Sequence, residues 1–186
     1  MNLNEKPVRE KYKEFLGKMT EQMELIIKDK REPMTIKQII ERRLNSEQKD
    51  WKDNYFDTCD AIAYGKNGNF KIIKNCDILK NINSKTKLEK GRIKLNNKEY
   101  ENLEGQEFDE KTCKEVIWKY LLEELYEPYI KMINYCPNYY ISFNEDTLGA
   151  WYVGRLDGNL GSSAYDWGRL DVDYGCSVGV ASEMQE

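Results

Sequence analysis

Paired carboxylates in the last third of the chain are the side chains best placed to do chemistry. Asp171 and Asp173 lie two positions apart. On a β-strand this spacing puts both carboxylates on one face, about 7 Å apart. Two carboxylates at that distance could hold a divalent ion. A solvated strand face has the same pattern, so the pair alone does not predict a metal site.

An incomplete calcium-loop pattern begins at Asp157, where Asp157-Gly-Asn159 resembles the start of an EF-hand loop. In that loop the sixth position is Gly and the twelfth is a bidentate Glu. This chain has Ser162 and Gly168 at those positions. The pattern therefore excludes an EF-hand, and we predict neither a metal ion nor any other cofactor.

The chain contains no histidine. This removes the usual general base near neutral pH and the commonest zinc ligand, together with any Ser-His or Cys-His dyad. The five cysteines are spread widely and form no Cys-x-x-Cys pair, so a four-thiolate zinc site is not indicated. With no recognisable catalytic motif, we expect a protein that is not an enzyme and assign no catalytic residue.

Charge is distributed unevenly along the chain. Residues 1–114 contain 25 basic and 21 acidic side chains, whereas residues 115–186 contain 4 and 12. From Met132 onward there is no lysine, and nine aromatic residues share the stretch. An acidic field with embedded aromatic side chains suits a partner protein with a basic surface. The candidate partner-binding residues are Tyr152, Asp157, Tyr165, Asp166, Trp167, Asp171, Asp173 and Tyr174.

Two alternatives to this interpretation stay open. The aromatic residues of a glycine-rich β segment are usually buried, so these ones could instead form a core. Basic residues elsewhere could contact nucleic acid, notably Arg42 and Arg43 and the lysine-rich run 80–98. Interleaved glutamates give Arg42 and Arg43 no clear basic face, so we do not expect direct nucleic-acid binding.

Hydrophobic periodicity predicts helices in the first part of the chain. Apolar residues at spacings of three and four predict a helix over residues 5–30. A second helix is predicted from Thr35, whose side chain and that of Gln38 match a capping box, and a short third helix over residues 46–56. The two runs 60–64 and 70–73 then predict a β-hairpin around an Asn-Gly turn.

The second half is predicted to contain one long helix followed by strands. The helix spans about 109–133, with Asp109 or Thr112 as its cap and Pro128 as a bend. Beyond Pro137, glycine-rich and aromatic residues favour short strands and tight loops. The predicted fold class is α+β, with an N-terminal helical pair or hairpin, a small central antiparallel β region, the long helix and a C-terminal Gly/aromatic-rich β segment. We divide the chain into an N-terminal helical region, 1–56, and an α+β domain, 57–186, whose acidic aromatic segment is 138–186.

The C-terminal segment also resembles a known group of proteins. The matching residues are Ala150–Val153, Asp157–Leu160, Asp173–Gly175 and Val178–Val180. About 40 residues are similar to the tails of some phage and mobile-element proteins, which are related to the formylglycine-generating, C-type-lectin-like fold. The resemblance implies a gene carried by a phage or an integrated element.

Together these features predict a non-enzymatic protein-binding module. The specific hypothesis is a phage or mobile-element inhibitor of a host defence or nucleic-acid-handling protein, which blocks a basic groove with its acidic aromatic surface. The alternative is a lectin-like ligand- or carbohydrate-binding module, with a divalent ion at Asp171 and Asp173. The odd number of cysteines and the lack of an 18-residue apolar run favour a reduced, cytoplasmic protein without a membrane partner. The sequence leaves the oligomeric state open.

Overall fold

The computed structural model describes residues 11–65, 68–137, 139–140, 146–156 and 164–181; for 139–140 and 164–168 only the backbone is described. Two β-sheets with helices packed on them build the fold. Within these ranges there are ten strands: β1 Tyr12–Gly17, β2 Arg31–Pro33, β3 Phe56–Tyr64, β4 Asn69–Ile73, β5 Ile93–Lys94, β6 Gln106–Asp109, β7 Tyr139–Tyr140, β8 Thr147–Val153, β9 Ala164–Gly168 and β10 Gly175–Ala181. The helices are α1 Met19–Lys28, α2 Ile36–Asn45, α3 Asp50–Asp53, α4 Asp77–Lys80, α5 Asn97–Asn102, α6 Lys114–Leu122 and α7 Tyr126–Ile133, with a 3-10 turn Glu123–Leu125 between the last two.

The two sheets use strands from distant parts of the chain. In the three-stranded sheet β10 lies between β1 and β2, both antiparallel to it. The larger sheet has the order β6-β4-β3-β8-β9-β7, and β5 also pairs with β8. All its pairings are antiparallel except that of β7 with β9. The α+β fold class is therefore confirmed.

Alternation along β3 divides the interior into two cores. Ile62 and Tyr64 face a core formed with α2, α6 and α7. Ala61 and Ala63 face a second core formed with α1, α4 and α5. A third cluster, centred on Trp51, fills the space between the three-stranded sheet and α2.

Several local predictions are confirmed. The Thr35 side chain accepts a hydrogen bond from the Gln38 backbone, and the Gln38 side chain reciprocates, so α2 begins with a capping box. The short helix α3 and the hairpin formed by β3 and β4 are present as expected. Part of the hairpin turn, residues 66–67, lies outside the described residues.

Two boundaries were predicted wrongly. Residues 12–17 form β1 and not the first turns of a helix, because they pair with β10 over their full length; helix α1 begins only at Met19. The long helix begins at Lys114, and neither Asp109 nor Thr112 caps it. Its interruption falls at Glu123, where φ is 54° and ψ is −122°, five residues before Pro128.

Within the described residues, no helix is long and apolar enough to cross a membrane. All five cysteines lie in the described part of the chain and all are free thiols.

Candidate functional site

A group of tyrosines with one arginine lies at the end of β8. We call Tyr55, Tyr152, Arg155 and Tyr174 the tyrosine–arginine patch. The rings of Tyr55 and Tyr152 are 5.5 Å apart between centroids. The Arg155 guanidinium carbon lies 5.7 Å from the centre of the Tyr55 ring. The Tyr55 hydroxyl donates to the Tyr174 carbonyl oxygen at 2.7 Å, so Tyr55 connects the other three residues.

Three separate segments supply the patch, and sheet pairing brings them together. Tyr55 comes directly before β3, in which Asp57 is opposite Tyr152 of β8. Tyr174 directly precedes β10, whose first residue, Gly175, is paired with Gly17 of β1. The patch therefore lies where the two sheets meet.

A buried arginine holds two of these segments in place. Arg43 on α2 is fully buried. Its guanidinium donates to the carbonyl oxygens of Trp51 at 2.7 Å, Asn54 at 2.9 Å and Gly154 at 2.7 Å. It also donates to the Tyr129 hydroxyl at 3.2 Å. Since Asn54 and Gly154 directly precede Tyr55 and Arg155, Arg43 fixes the spacing of two patch residues.

A polar network lies beneath the patch. The buried Gln22 side chain donates to the Gly17 carbonyl oxygen at 2.7 Å and accepts from the Ser177 hydroxyl. It also donates to the half-buried Asp57 carboxyl. A side chain at position 175 would not fit, since its Cβ would lie 2.8 Å from the Gly17 carbonyl oxygen.

Burial changes the ionisation of the groups in this network. It raises the pKa of Asp57 to about 7, although hydrogen bonds from Gln22 and the Cys176 backbone act in the opposite direction. Burial also raises the pKa of Tyr152, and the neighbouring Asp57 adds to this effect. Burial raises the pKa of Tyr55 as well, so both tyrosines of this tilted ring pair carry neutral hydroxyl groups near pH 7.

The structure brings together only part of the candidate set predicted from sequence. Tyr152 is half-buried and Tyr174 is 66% exposed, and both belong to the patch. Asp157 lies outside the described residues. Tyr165, Asp166 and Trp167 lie on β9, where only the backbone is described and Tyr165 is the register partner of Tyr152.

Asp171 and Asp173 do not lie on a strand. They belong to a turn before β10, and the backbone N–H of the preceding Leu170 donates to the Gly91 carbonyl oxygen at 2.7 Å. Without a strand, the geometry proposed for a divalent ion is lost. Among the described residues no group of three or more His, Cys, Asp or Glu side chains is arranged to hold a metal ion.

Each of these two carboxylates faces a basic side chain. Asp171 accepts two hydrogen bonds from Arg169, at 3.0 and 3.1 Å, and this pairing holds its pKa below the usual value. The Asp173 carboxylate, whose side chain is 85% exposed, lies 3.5 Å from the Lys18 ammonium.

Sequence reasoning missed Tyr55 and Arg155. One signal was available for Tyr55: it alternates with the buried residues Phe56 and Thr58, as does Asp57, so both are on the less buried side of β3. No local signal shows that this side faces Tyr152, because the β3–β8 pairing joins residues almost 100 positions apart.

Comparison with known proteins identifies the fold. No family model and no curated protein matches the chain. A solved structure from work on the accommodation of massive sequence variation in Nanoarchaeota by the C-type lectin fold is similar, with a TM-score of 0.63 and 13% sequence identity. The likeness covers 91% of this chain and 96% of that one. The chain has a C-type-lectin-like fold. The similarity is thus not confined to the C-terminal 40 residues.

Proposed function

We propose that the chain is a non-enzymatic, lectin-like ligand-binding module, and that the tyrosine–arginine patch is its binding surface. One observation carries the proposal: three tyrosines and an arginine from three distant segments meet on one surface of a C-type-lectin-like fold. Tyr and Arg are the residue types, with Trp, that supply most of the energy of protein interfaces.

The rigid support of the patch agrees with this role. Arg43 and the Gln22 network hold the backbone on either side of it, so little conformational entropy is lost when a ligand binds. The similar Nanoarchaeota structure concerns a C-type lectin fold that accommodates massive sequence variation. By extension, we propose that the core of this chain is a scaffold and that its ligand is determined by surface residues.

Substitution of the exposed tyrosines tests the proposal. The probes are an array of random 12-residue peptides and an array of glycans, each treated with the full chain. We expect selective binding on at least one array, reduced about tenfold or more by Tyr174→Ala combined with Tyr152→Ala, as for an interface hot spot. Tyr135→Ala is the matched control, because Tyr135 is an exposed tyrosine outside the patch, and it should leave the signal within twofold. Absence of selective binding on both arrays, or equal binding by the double variant, contradicts the proposal.

A second candidate function is the cytoplasmic inhibitor encoded by a phage or mobile element, which binds a host protein with a basic surface. Supporting it are the adjacent exposed side chains of Asp173 and Tyr174 and the acidic composition of the last 72 residues. The test compares capture of a host protein from lysate by the wild type and by a variant in which the four aspartates at positions 157, 166, 171 and 173 are replaced by asparagine. We expect weaker capture and a flatter dependence on salt, because fewer charges are screened; equal capture at every salt concentration would refute it.

A further inference from the structure

Arg155 is the one patch residue whose charge points to the chemistry of a ligand. It is exposed, and its guanidinium lies over the Tyr55 ring. Tyr55 is itself fixed by its hydrogen bond to the Tyr174 carbonyl and its contact with Tyr152. A guanidinium stacked on a fixed aromatic ring is oriented in advance, and its edge N–H groups remain available for planar, bidentate contacts.

Other arginines of the chain differ from Arg155 in their partners. Arg169 donates two hydrogen bonds to Asp171, and Arg31 donates to Asp29 at 2.7 Å. Within the described ranges Arg155 contacts an aromatic ring but forms no ion pair with a carboxylate. Among the described residues its edge N–H groups have no hydrogen-bond partner, so they can pair with a ligand.

The charges next to Arg155 also favour an anionic group. The buried guanidinium of Arg43 donates to the Gly154 carbonyl, directly before Arg155 in the chain. The Asp57 carboxyl, opposite Tyr152 in the sheet, is kept partly protonated near neutral pH because burial raises its pKa to about 7. The exposed carboxylate next to Tyr174, that of Asp173, lies 3.5 Å from the Lys18 ammonium. Arg155 is therefore a patch charge without an ionic partner among the described residues.

We propose that the tyrosine–arginine patch binds an acidic segment of a partner protein, in which an Asp or Glu carboxylate pairs with Arg155 and an adjacent apolar side chain contacts Tyr152 and Tyr174. This inference rests on the first proposed function and specifies its ligand class. Bidentate pairing of Arg with a carboxylate supplies both strength and geometric specificity. The tyrosine rings around it provide the apolar contact area that an acidic glycan, with its many hydroxyl groups, would use less well.

The experiment uses the same arrays of random 12-residue peptides and of glycans, with acidic glycans included. Full-length wild type is compared with Arg155→Met, Arg155→Lys and Arg169→Met. We expect wild type to select peptides enriched in Asp and Glu, and Arg155→Met to reduce their binding about tenfold or more. Arg155→Lys keeps the positive charge but loses the planar guanidinium that makes bidentate contacts. Its binding of acidic peptides should therefore lie between that of wild type and that of Arg155→Met.

Arg169→Met is the matched control, since Arg169 is an exposed arginine of the same segment that already pairs with Asp171. Its binding of acidic peptides should stay within twofold of the wild-type value. Circular dichroism and thermal unfolding of each variant separate lost binding from lost folding, and Arg155→Lys provides a second variant should Arg155→Met fail to fold.

Several outcomes would overturn the inference. These are selection of peptides rich in Lys and Arg, binding of acidic glycans without peptides, absence of peptide selection, or equal binding of acidic peptides by Arg155→Met. If the Tyr152 and Tyr174 variants lose binding while Arg155→Met keeps it, only the acidic ligand is refuted. If none of the patch variants affects binding, the proposed function fails as well.

Discussion

The tyrosine–arginine patch and the charged cluster at Glu123 join distant segments in different ways. Glu123 receives hydrogen bonds from Lys37 at 2.6 Å and Lys74 at 2.5 Å, and these lower its pKa to about 2. In the patch, Arg155 lies over the Tyr55 ring and has no carboxylate partner among the described residues. In the first arrangement, two lysine ammonium groups neutralise the Glu123 carboxylate at the break between α6 and α7. In the second, Arg43 supports the backbone beside the patch, and Arg155 contacts an aromatic ring instead of a carboxylate among the described residues.

The largest expected effect comes from removing the support behind the patch. Arg43→Met leaves the carbonyl oxygens of Trp51, Asn54 and Gly154 buried without their donor. We expect a loss of about 3–5 kcal/mol in the free energy of unfolding, as for breaking a buried charged interaction. Urea denaturation measures it. Arg43→Lys keeps one charge but not the fork, so it should fall between wild type and Arg43→Met; an effect under about 1 kcal/mol in Arg43→Met would show that the patch is positioned by other contacts.

A second prediction uses the ionisation of Asp57. Its pKa is raised to about 7 in the folded protein, whereas an unfolded Asp titrates near 3.9. The folded state therefore binds more protons between these values, and this contribution to stability is full below about pH 4 and is lost as the pH rises through about 7. Asp57→Asn should remove more than about 1 kcal/mol of that pH dependence, since one pKa unit corresponds to about 1.4 kcal/mol.

The measurement is thermal or urea unfolding of both proteins from pH 4 to pH 8. A remaining slope is expected from Asp60 of β3, whose buried carboxyl accepts a hydrogen bond from the Ile36 backbone N–H at the start of α2 and whose pKa burial raises to about 6. Identical slopes for wild type and Asp57→Asn would show that Asp57 is ionised in the folded protein throughout this range.

The smallest effect is expected at Glu123, with the opposite dependence on pH. Because the pKa is lowered, the stabilisation is present above about pH 4.3 and is lost as the pH falls through about 2. The side chain is half exposed, so Glu123→Gln should cost at most about 1 kcal/mol at pH 7 and less at high salt. Urea unfolding at low and high salt measures this.

Glu123→Gly provides the companion variant. In the wild type, the Glu123 backbone has a φ of 54° and a ψ of −122°, which are typical of glycine. A non-glycine residue with these angles carries about 1–3 kcal/mol of strain. Relief of this strain should make Glu123→Gly at least as stable as Glu123→Gln. A Glu123→Gly variant markedly less stable than Glu123→Gln would show that relief of the strain does not offset the larger backbone entropy that glycine loses on folding.

Local chemistry predicts well those elements that depend on neighbouring residues. The capping box of Thr35 and Gln38 and the hairpin of β3 and β4 are of this kind. The residues of the first strand are predicted as helix because the apolar residues Tyr12 and Phe15 are three positions apart. They are buried by pairing with β10: the Phe15 ring packs over Gly179, where a Cβ would lie 2.9 Å from it. No feature of residues 12–17 reports a partner at residues 175–180.

The candidate site shows the same limit. Tyr152 and Tyr174 could be selected from composition, since they belong to the aromatic, lysine-free segment. Tyr55 and Arg155 become part of the site only through the β3–β8 register and the hydrogen bonds of Arg43. The turn at Asp171 packs against Gly91, whose φ of 82° strains any residue other than glycine.

The antiparallel pairing of β1 with β10 determines where Lys11 and Ala181 lie relative to the tyrosine–arginine patch. Gly17 and Gly175 pair at the end next to Tyr174, whereas at the opposite end the Ala181 backbone N–H donates to the Lys11 carbonyl at 2.9 Å. Six residues of strand separate these ends by about 20 Å. Lys11 and Ala181 therefore lie together at the end of this strand pair that is remote from Tyr174 and the rest of the patch.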